Sequence, residues 1–281
     1  MNEISVVMTA YNAATHIAEA IESVLNQSFD DFELIIVDDG STDNTNLIVR
    51  SYSDRRIKLI KNTHDYIRSL NSGMQAAKGK YVARMDADDI MHIDRLKIQY
   101  AIMEDEPDIA VCSSWMSLFG EDVKDGIVPQ SICGIIEHPL LLFLKGNFIS
   151  HPTTMLRCDF LRKHSLQYKN SDCAEDYKLW IEIAKRGGLF YVEPQPLLYK
   201  RVSLLQRNRE KQKKQEEAIS LLRNQILHYL MQKKGGKYGC ISKMIRAILQ
   251  AREEELVTDN DIFPFIYNVY MKNKDSYLNQ Y

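Results

Sequence analysis

YVARMDADD, Tyr81 to Asp89, writes a buried strand and ends it with three carboxylates in four positions. Two like charges about 4 Å apart repel by about 1 kcal/mol in water and about 4 kcal/mol at an effective dielectric of 20, so the cluster calls for a positive partner. Hard oxygen ligands suit Mg2+ or Mn2+ held by one or two carboxylates together with substrate phosphates. A solvated acidic turn capping the next helix would use the same residues.

The sequence on either side says what sheet this strand joins. Ile4 to Met8 is a β-prone run, and Ile17, Ile21, Val24 and Leu25 recur at i, i+4, i+7 and i+8, one face of a helix. Phe32 to Val37 (FELIIV) is the next strand, which completes a βαβ unit; continuous apolar strands of this kind suit a parallel sheet covered on both faces. The unit repeats: a short strand at Ile57 to Ile60, a helix from Tyr66 to Ala77 stopped by Lys78-Gly79, and a strand from Lys80 to Met85. The acidic cluster thus lies at a strand's carboxyl end, where open α/β sheets bind ligands. Thr9-Ala10-Tyr11-Asn12 and Asp38-Asp39-Gly40 lie at the same edge. Beyond it, Ile93 to Glu104 reads as helix, Asp108 to Ser113 as strand, and Ser114 to Gly146 as irregular apart from an apolar helix near Leu140. Cys173 to Arg186 reads as helix, stopped by Gly187-Gly188.

With 281 residues, 45% of them apolar and 26% charged, the chain is long enough for one large α/β domain and a smaller appendage. Met1-Asn2-Glu3 leads straight into a strand, without the basic and apolar regions of a signal peptide. No apolar run approaches the roughly 20 residues of a spanning helix. The expected location is cytoplasmic, at most peripheral at the inner face of the cell membrane. Five widely spaced cysteines without a CxxC pair read as thiols in a reducing compartment. The net charge of −2 conceals a basic segment, because Lys200 to Arg246 holds thirteen Lys/Arg against Glu210, Glu216 and Glu217.

VDDGSTDNT, Val37 to Thr45, places adjacent carboxylates at a strand end, then a glycine turn and hydroxyl groups. A carboxylate accepts hydrogen bonds, so Asp39 could hold the ring N–H of uracil or thymine, which cytosine lacks. A turn in which Ser41 or Asp43 caps the next helix is the structural alternative. The Tyr11 ring could stack on a base or simply fill a rim. Asp176, Trp180, Ile183 and Gly187 share one helical stripe, so the Asp176 carboxylate points the same way as the face buried against the domain.

Ile4 to Asn12 (ISVVMTAYN), Ile35 to Thr45 (IIVDDGSTDNT), Gly79 to Asp89 (GKYVARMDADD) and Ala174 to Trp180 (AEDYKLW), in this order, resemble the family 2 glycosyltransferases with the GT-A fold. The resemblance covers roughly residues 1 to 205. It implies an α/β, Rossmann-like, mostly parallel sheet flanked by helices, followed here by a helical extension at 206–281. It further implies an inverting enzyme that moves a sugar from a nucleotide-diphosphate-sugar, a UDP-sugar above all, to an acceptor hydroxyl in cell-surface polysaccharide synthesis. The base would lie near Thr9, Ala10, Tyr11 and Asp39. Ribose and diphosphate would lie against Asp86 and Ala87 of the DxD motif, with Asp88 holding Mn2+ or Mg2+. The general base maps to Asp176. The implied acceptor is a saccharide or lipid-linked saccharide, with no nucleic-acid partner.

Lys178 stands where relatives carry a second aspartate, Lys200-Arg201-Val202-Ser203 lacks their histidine, and Asn62-Thr63-His64-Asp65 replaces their Asn-x-Gly. These departures keep a non-catalytic nucleotide-sugar-binding module as the alternative. A phosphorelay receiver domain is disfavoured, because its acidic pair would follow the first strand. In the tail, Ile219, Leu222, Ile226 and Leu230 form an apolar stripe beside Arg207, Arg209, Lys211, Lys213, Lys214 and Arg223. Such a helix lies on an anionic bilayer, or packs on the catalytic domain or on a second copy.

Overall fold

The fold is described from a computed structural model, which covers residues 2–120, 126–128, 132–202, 209–232 and 239–278. The first half is the expected βαβ repeat: β1 (Ile4–Ala10), α1 (Ile17–Leu25), β2 (Phe32–Asp38), α2 (Thr45–Ser51), β3 (Ile57–Lys61), α3 (Tyr66–Ala76) and β4 (Tyr81–Asp86). All seven residues of β1 and of β2 are buried, as a sheet covered on both faces requires. Helix α3 approaches closely: a Cβ on Gly73 would fall 2.4 Å from Val7 Cγ1.

β5 (Ile90–Met91), α4 (Arg95–Asp105), β6 (Ile109–Gly120), β7 (Gly126–Val128), β8 (Gly134–Ile136) and α5 (Pro139–Lys145) follow. After a 3-10 turn at His151–Thr153 come β9 (Met155–Arg157), α6 (Cys158–Lys163), α7 (Glu175–Lys185), β10 (Leu189–Val202), α8 (Arg209–Met231), α9 (Gly239–Glu253) and α10 (Asp259–Leu278). The strand order is β3-β2-β1-β4-β9-β6-β10-β5, with β7 on β6 and β8 on β10. β3, β2, β1 and β4 are mutually parallel, whereas β9 runs antiparallel to both its neighbours and joins them to the parallel pair β6 and β10.

Outside α5, the described residues of the stretch read as irregular are therefore largely ordered in strands. β6 continues to Gly120 because Tyr199–Val202 of β10 pairs with Ser117–Gly120, a partner far off in sequence that local pattern does not reveal. The apolar helix near Leu140 is α5, with Leu140, Leu141, Phe143 and Leu144 buried.

The tail's apolar stripe is used inside the molecule. Leu222, Ile226 and Leu230 of α8 are buried, with Ile219 packed beside them, in one cluster with Phe143 of α5, Trp180 of α7 and Ile262 and Ile266 of α10. Burying each Leu or Ile stabilises by about 1.5–3 kcal/mol, so this face packs on the catalytic part rather than lying open to a bilayer. The expected boundary near Ser203 to 205, Arg207 and the side chains of Arg209 and Lys211 lie outside the described residues. Among the described residues, no helix is long and apolar enough to cross a membrane.

Candidate active site

The loops after β1 and β2 form one unit. Asn12 adopts a left-handed backbone (φ 48°), and its side chain accepts from Thr42 N at 2.8 Å while its N–H donates to Ser41 Oγ at 3.0 Å. Ala13 N donates to Thr45 Oγ1 and Ala14 N to Asp43 Oδ2. The hydroxyls and carboxylate of GSTDNT therefore hold the opposite loop; Asp43 also accepts from Thr45 N, at the start of α2, as the turn reading of this residue expects. Gly40, at φ 79°, makes the turn a side chain would strain.

Asp39 is 3% exposed and faces a cleft of about 240 Å3 lined also by Thr9, Ala10, Tyr11, His16, Tyr66, Asp86, Ala87 and Asp88. Its Oδ1 accepts from Asp65 N at 2.8 Å and Ser69 Oγ at 2.6 Å, and its Oδ2 lies 3.3 Å from His64 Nδ1. His64 also stacks on Tyr11, ring centroids 4.1 Å apart, and Tyr11 lines the cleft. The carboxylate is thus locked in orientation before any base arrives.

The acidic cluster has an internal counter-ion. Arg84 and Asp86 alternate to the same side of β4, and the buried guanidinium pairs with Asp86 Oδ1 and donates to Tyr66 OH at 2.8 Å. Burial is the largest single influence on the Arg84 pKa and would lower it, but the charge and hydrogen bond of Asp86 together with Tyr66 and Tyr168 outweigh it, and the net shift is upward. One arginine does not balance three carboxylates. Burial and then the Asp86 charge raise Asp88; burial, Asp86 and Asp88 push Asp89 up to about 8. Asp89 Oδ1 accepts from Arg201 N at 2.9 Å, while its buried Oδ2 has no hydrogen-bond partner. Arg201 further ties the turn through Asp88 O, and Lys200 lends positive field to Asp88 and Asp89. One ligand oxygen each from Asp86, Asp88 and Asp89 lie within 4.8 Å of one another. Hard donors that repel one another, one with an orphaned oxygen, fit a divalent cation.

A second cleft of about 470 Å3 adjoins the first, sharing Tyr66 and Asp86, and contains Glu175, Asp176, Asn147, His151, Lys200 and Gln215. Asp176 sits in the first turn of α7, above buried Trp180 and Ile183 as its helical stripe requires. Its Oδ2 accepts from Asn147 Nδ2 at 3.0 Å and its Oδ1 from Tyr177 N at 2.7 Å. Burial dominates and raises its pKa, against those hydrogen bonds and Arg84; Glu175 is raised by burial too. His151 is held below its usual pKa by burial, then by Arg84 and Lys200, and bonds Tyr168 OH at 2.8 Å, a neutral structural group. Lys178 reaches Asn170 O at 3.0 Å.

Thr9, Ala10, Tyr11, Asp39, Asp86, Ala87 and Asp88 line the first cleft and Asp176 the second, whereas Asp89, Ser41, Asp43 and Lys178 line neither. Arg84, Tyr66, His64, Asn147, Lys200 and Gln215 were not foreseen in these roles. Of these, only Arg84 carried a local signal, its two-residue spacing from Asp86 on a strand.

Comparisons with known proteins give the family and the fold. The model of the family described as glycosyl transferase family 2 matches residues 5–165. An uncharacterised glycosyltransferase of Haemophilus influenzae is 34% identical over 282 residues, 95% of this chain and 85% of its own. The Escherichia coli UDP-Glc:alpha-D-GlcNAc-diphosphoundecaprenol beta-1,3-glucosyltransferase WfgD is 30% identical over 66% of this chain and 71% of its own. Among solved structures, S. aureus TarS 1–349 in complex with UDP-GlcNAc shares 21% identity at a TM-score of 0.68, over 99% of this chain and 79% of that one. Mannosyltransferase PcManGT from Pyrobaculum calidifontis, in complex with GDP-Man and Mn2+, shares 17% at 0.62, over 98% and 75%. The likeness to these two structures is one of fold, the α/β GT-A type. With the family model spanning more than half of its length and a relative aligned along nearly all of it, the chain belongs to glycosyl transferase family 2.

Proposed function

We propose that the protein is an inverting glycosyltransferase that takes a UDP-sugar and glycosylates a hydroxyl of a saccharide or lipid-linked saccharide, on the cytoplasmic side, for cell-surface polysaccharide. One observation carries the reading: a nucleotide-sized cleft ending at a carboxylate cluster opens, across Tyr66 and Asp86, into a cleft holding a buried-side carboxylate of raised pKa. UDP-sugars in WfgD's name and in the TarS complex, and the lipid diphosphate in WfgD's name, support donor and acceptor class.

In this mechanism Tyr11 stacks on the uracil and Asp39 accepts its ring N–H, with Thr9 and Ala10 as the floor. Asp86 and Ala87 face the ribose and diphosphate. Asp88, with Asp86 and Asp89, would hold Mn2+ or Mg2+, which as a Lewis acid stabilises charge on the departing diphosphate. Asp176 takes the proton of the acceptor hydroxyl as its oxygen bonds to the anomeric carbon. The bond from that carbon to the diphosphate oxygen breaks, and UDP leaves with the electron pair. A raised carboxylate pKa brings a base nearer the operating pH, where general-base catalysis is most effective. Residues 1–205 carry this chemistry, and 206–281 form the extension.

Release of free nucleotide from a panel of UDP-, dTDP- and GDP-sugars, with Mn2+ or EDTA, tests the reading. Slow, metal-dependent hydrolysis of one UDP-sugar is expected; no release or binding of any donor would overturn it.

A further inference from the structure

Helix α8 meets the active site at two points, and both bear on Asp176. At its amino-terminal end, Gln215 lines the second cleft and Gln215 Nε2 donates to Cys173 O at 2.9 Å. Cys173 and Asp172 are consecutive non-glycine residues in the left-handed region, φ 70° and 45°, directly before α7. Such a pair persists only where its surroundings hold it. The holders are Gln215 on Cys173 O, Lys178 on Asn170 O, and Asn170 Oδ1 accepting from Asp172 N.

Two turns further along α8, Arg223 Nη2 donates to Lys145 O at 2.7 Å, at the carboxyl end of α5. Its guanidinium lies over the Phe263 ring of α10, 5.3 Å to the centroid, so its position is itself packed in place. Tyr177 OH, next to Asp176 in sequence, donates to Phe143 O of the same helix end. Two residues past Lys145 stands Asn147, whose side chain donates to Asp176 Oδ2.

We infer that α8 is a positioning element of the active site: Gln215 and Arg223 fix the two backbone segments, 170–173 and 145–147, between which the Asp176 carboxylate is oriented. The inference rests on the reading of Asp176 as the base. It gives the extension a role in turnover that is separate from donor binding, because neither residue lines the donor cleft. It also accounts for Lys178, which serves the same strained segment and stands clear of the sugar chemistry.

Gln215→Ala tests it, with Gln215→Lys as rescue, since a lysine keeps an N–H donor within reach of Cys173 O. The probes are UDP-glucose, UDP-N-acetylglucosamine and GDP-mannose, with water as the acceptor, using whichever the wild type hydrolyses. The expected result is a fall in kcat of about 10- to 100-fold, the scale of an ångström-sized misplacement from a distant mutation, with KM for the donor within about twofold and kcat restored by lysine. Peptide-resolved labelling of Cys173 by N-ethylmaleimide reads the same contact without turnover and should quicken several-fold in Gln215→Ala alone. Unchanged labelling would show that Gln215 holds nothing. Faster labelling with unchanged kcat would show that the segment does not position the base. A rise in donor KM matching the loss of kcat would mean general destabilisation; each of these three results overturns the inference. Donor hydrolysis at the wild-type rate in Asp176→Asn would instead overturn Asp176 as the base on which the inference rests.

Discussion

The two clefts share a border but are built differently. The donor side is made of loops at the carboxyl ends of β1, β2 and β4, each placed by a parallel sheet of almost wholly buried strands, those after β1 and β2 being cross-linked by hydroxyl and carboxylate contacts. The Asp176 side sets residues at or near the ends of α5, α7 and α8 against Arg84, Asp86 and Lys200 of the sheet, and the relative position of those helices depends on packing. The first arrangement gives a rigid seat for a nucleotide. The second lets turnover be altered without touching the seat.

The sharpest break between them should come from Asp176→Asn. Turnover should fall about 100- to 10,000-fold, the usual worth of a positioned base, while calorimetry shows donor affinity unchanged. Equal loss of donor affinity would collapse the distinction. In the core joining the helices, Ile226→Ala should lower stability by about 2–5 kcal/mol. Because α8 shares one cluster with α5 and α7, the thermal transition should stay single; a separate early transition would mean that the extension melts alone.

On the donor side, Asp39→Ala should do the reverse of Asp176→Asn. Losing a hydrogen bond to a charged group costs about 1.5–3 kcal/mol, about 10- to 150-fold in UDP affinity, before any effect on chemistry. Asp88→Asn should remove most of the Mn2+ dependence of that binding, and UDP that binds the wild type equally in EDTA would take the metal away from the cluster.

How much of this could be read from sequence follows the same division. β1, β2 and β4, and with them Thr9, Tyr11, Asp39, Asp86 and Asp88, are legible because a strand and the loop after it write their signal within a dozen residues. Asp176 was legible as a first-turn carboxylate above Trp180, and only the family resemblance made it a base. The second half of β6 was not legible, since its partner is Tyr199–Val202. Nor was the Asn147 contact or the strain at Asp172-Cys173; the packing of the Ile226 stripe on the catalytic part was among the sequence readings, but not that α5 and α7 receive it, because each depends on a segment remote in the chain.

A smaller effect concerns pH. The base must be ionised to act, and burial raises Asp176, so kcat at saturating donor should rise with pH along a limb lying above the ordinary aspartate value of about 3.9. Below that limb the rate should fall about tenfold per unit; a limb at or below 3.9 would assign it to another group. Smallest of all should be attraction to anionic vesicles. With the α8 stripe packed inside, that stripe is not offered to a bilayer, so cosedimentation should rest on charge, be weak and be lost at high salt; salt-resistant pelleting would show an apolar membrane face elsewhere.

The strand order also has a consequence in time. β1 to β4 pair with one another and are complete once Asp86 has been synthesised, but β9, which covers the outer edge of β4, is Met155–Arg157. While the ribosome adds the intervening residues, Tyr81–Ala83 present unpaired amides and carbonyls on a strand already held flat by β1, a template for pairing with another nascent chain. Arg84 N, which ends up bonded to Thr154 O, waits through the same interval. Translation speed between Asp86 and Arg157 should therefore set how long the newborn half-sheet stays adhesive, and chaperone demand during synthesis should be concentrated there.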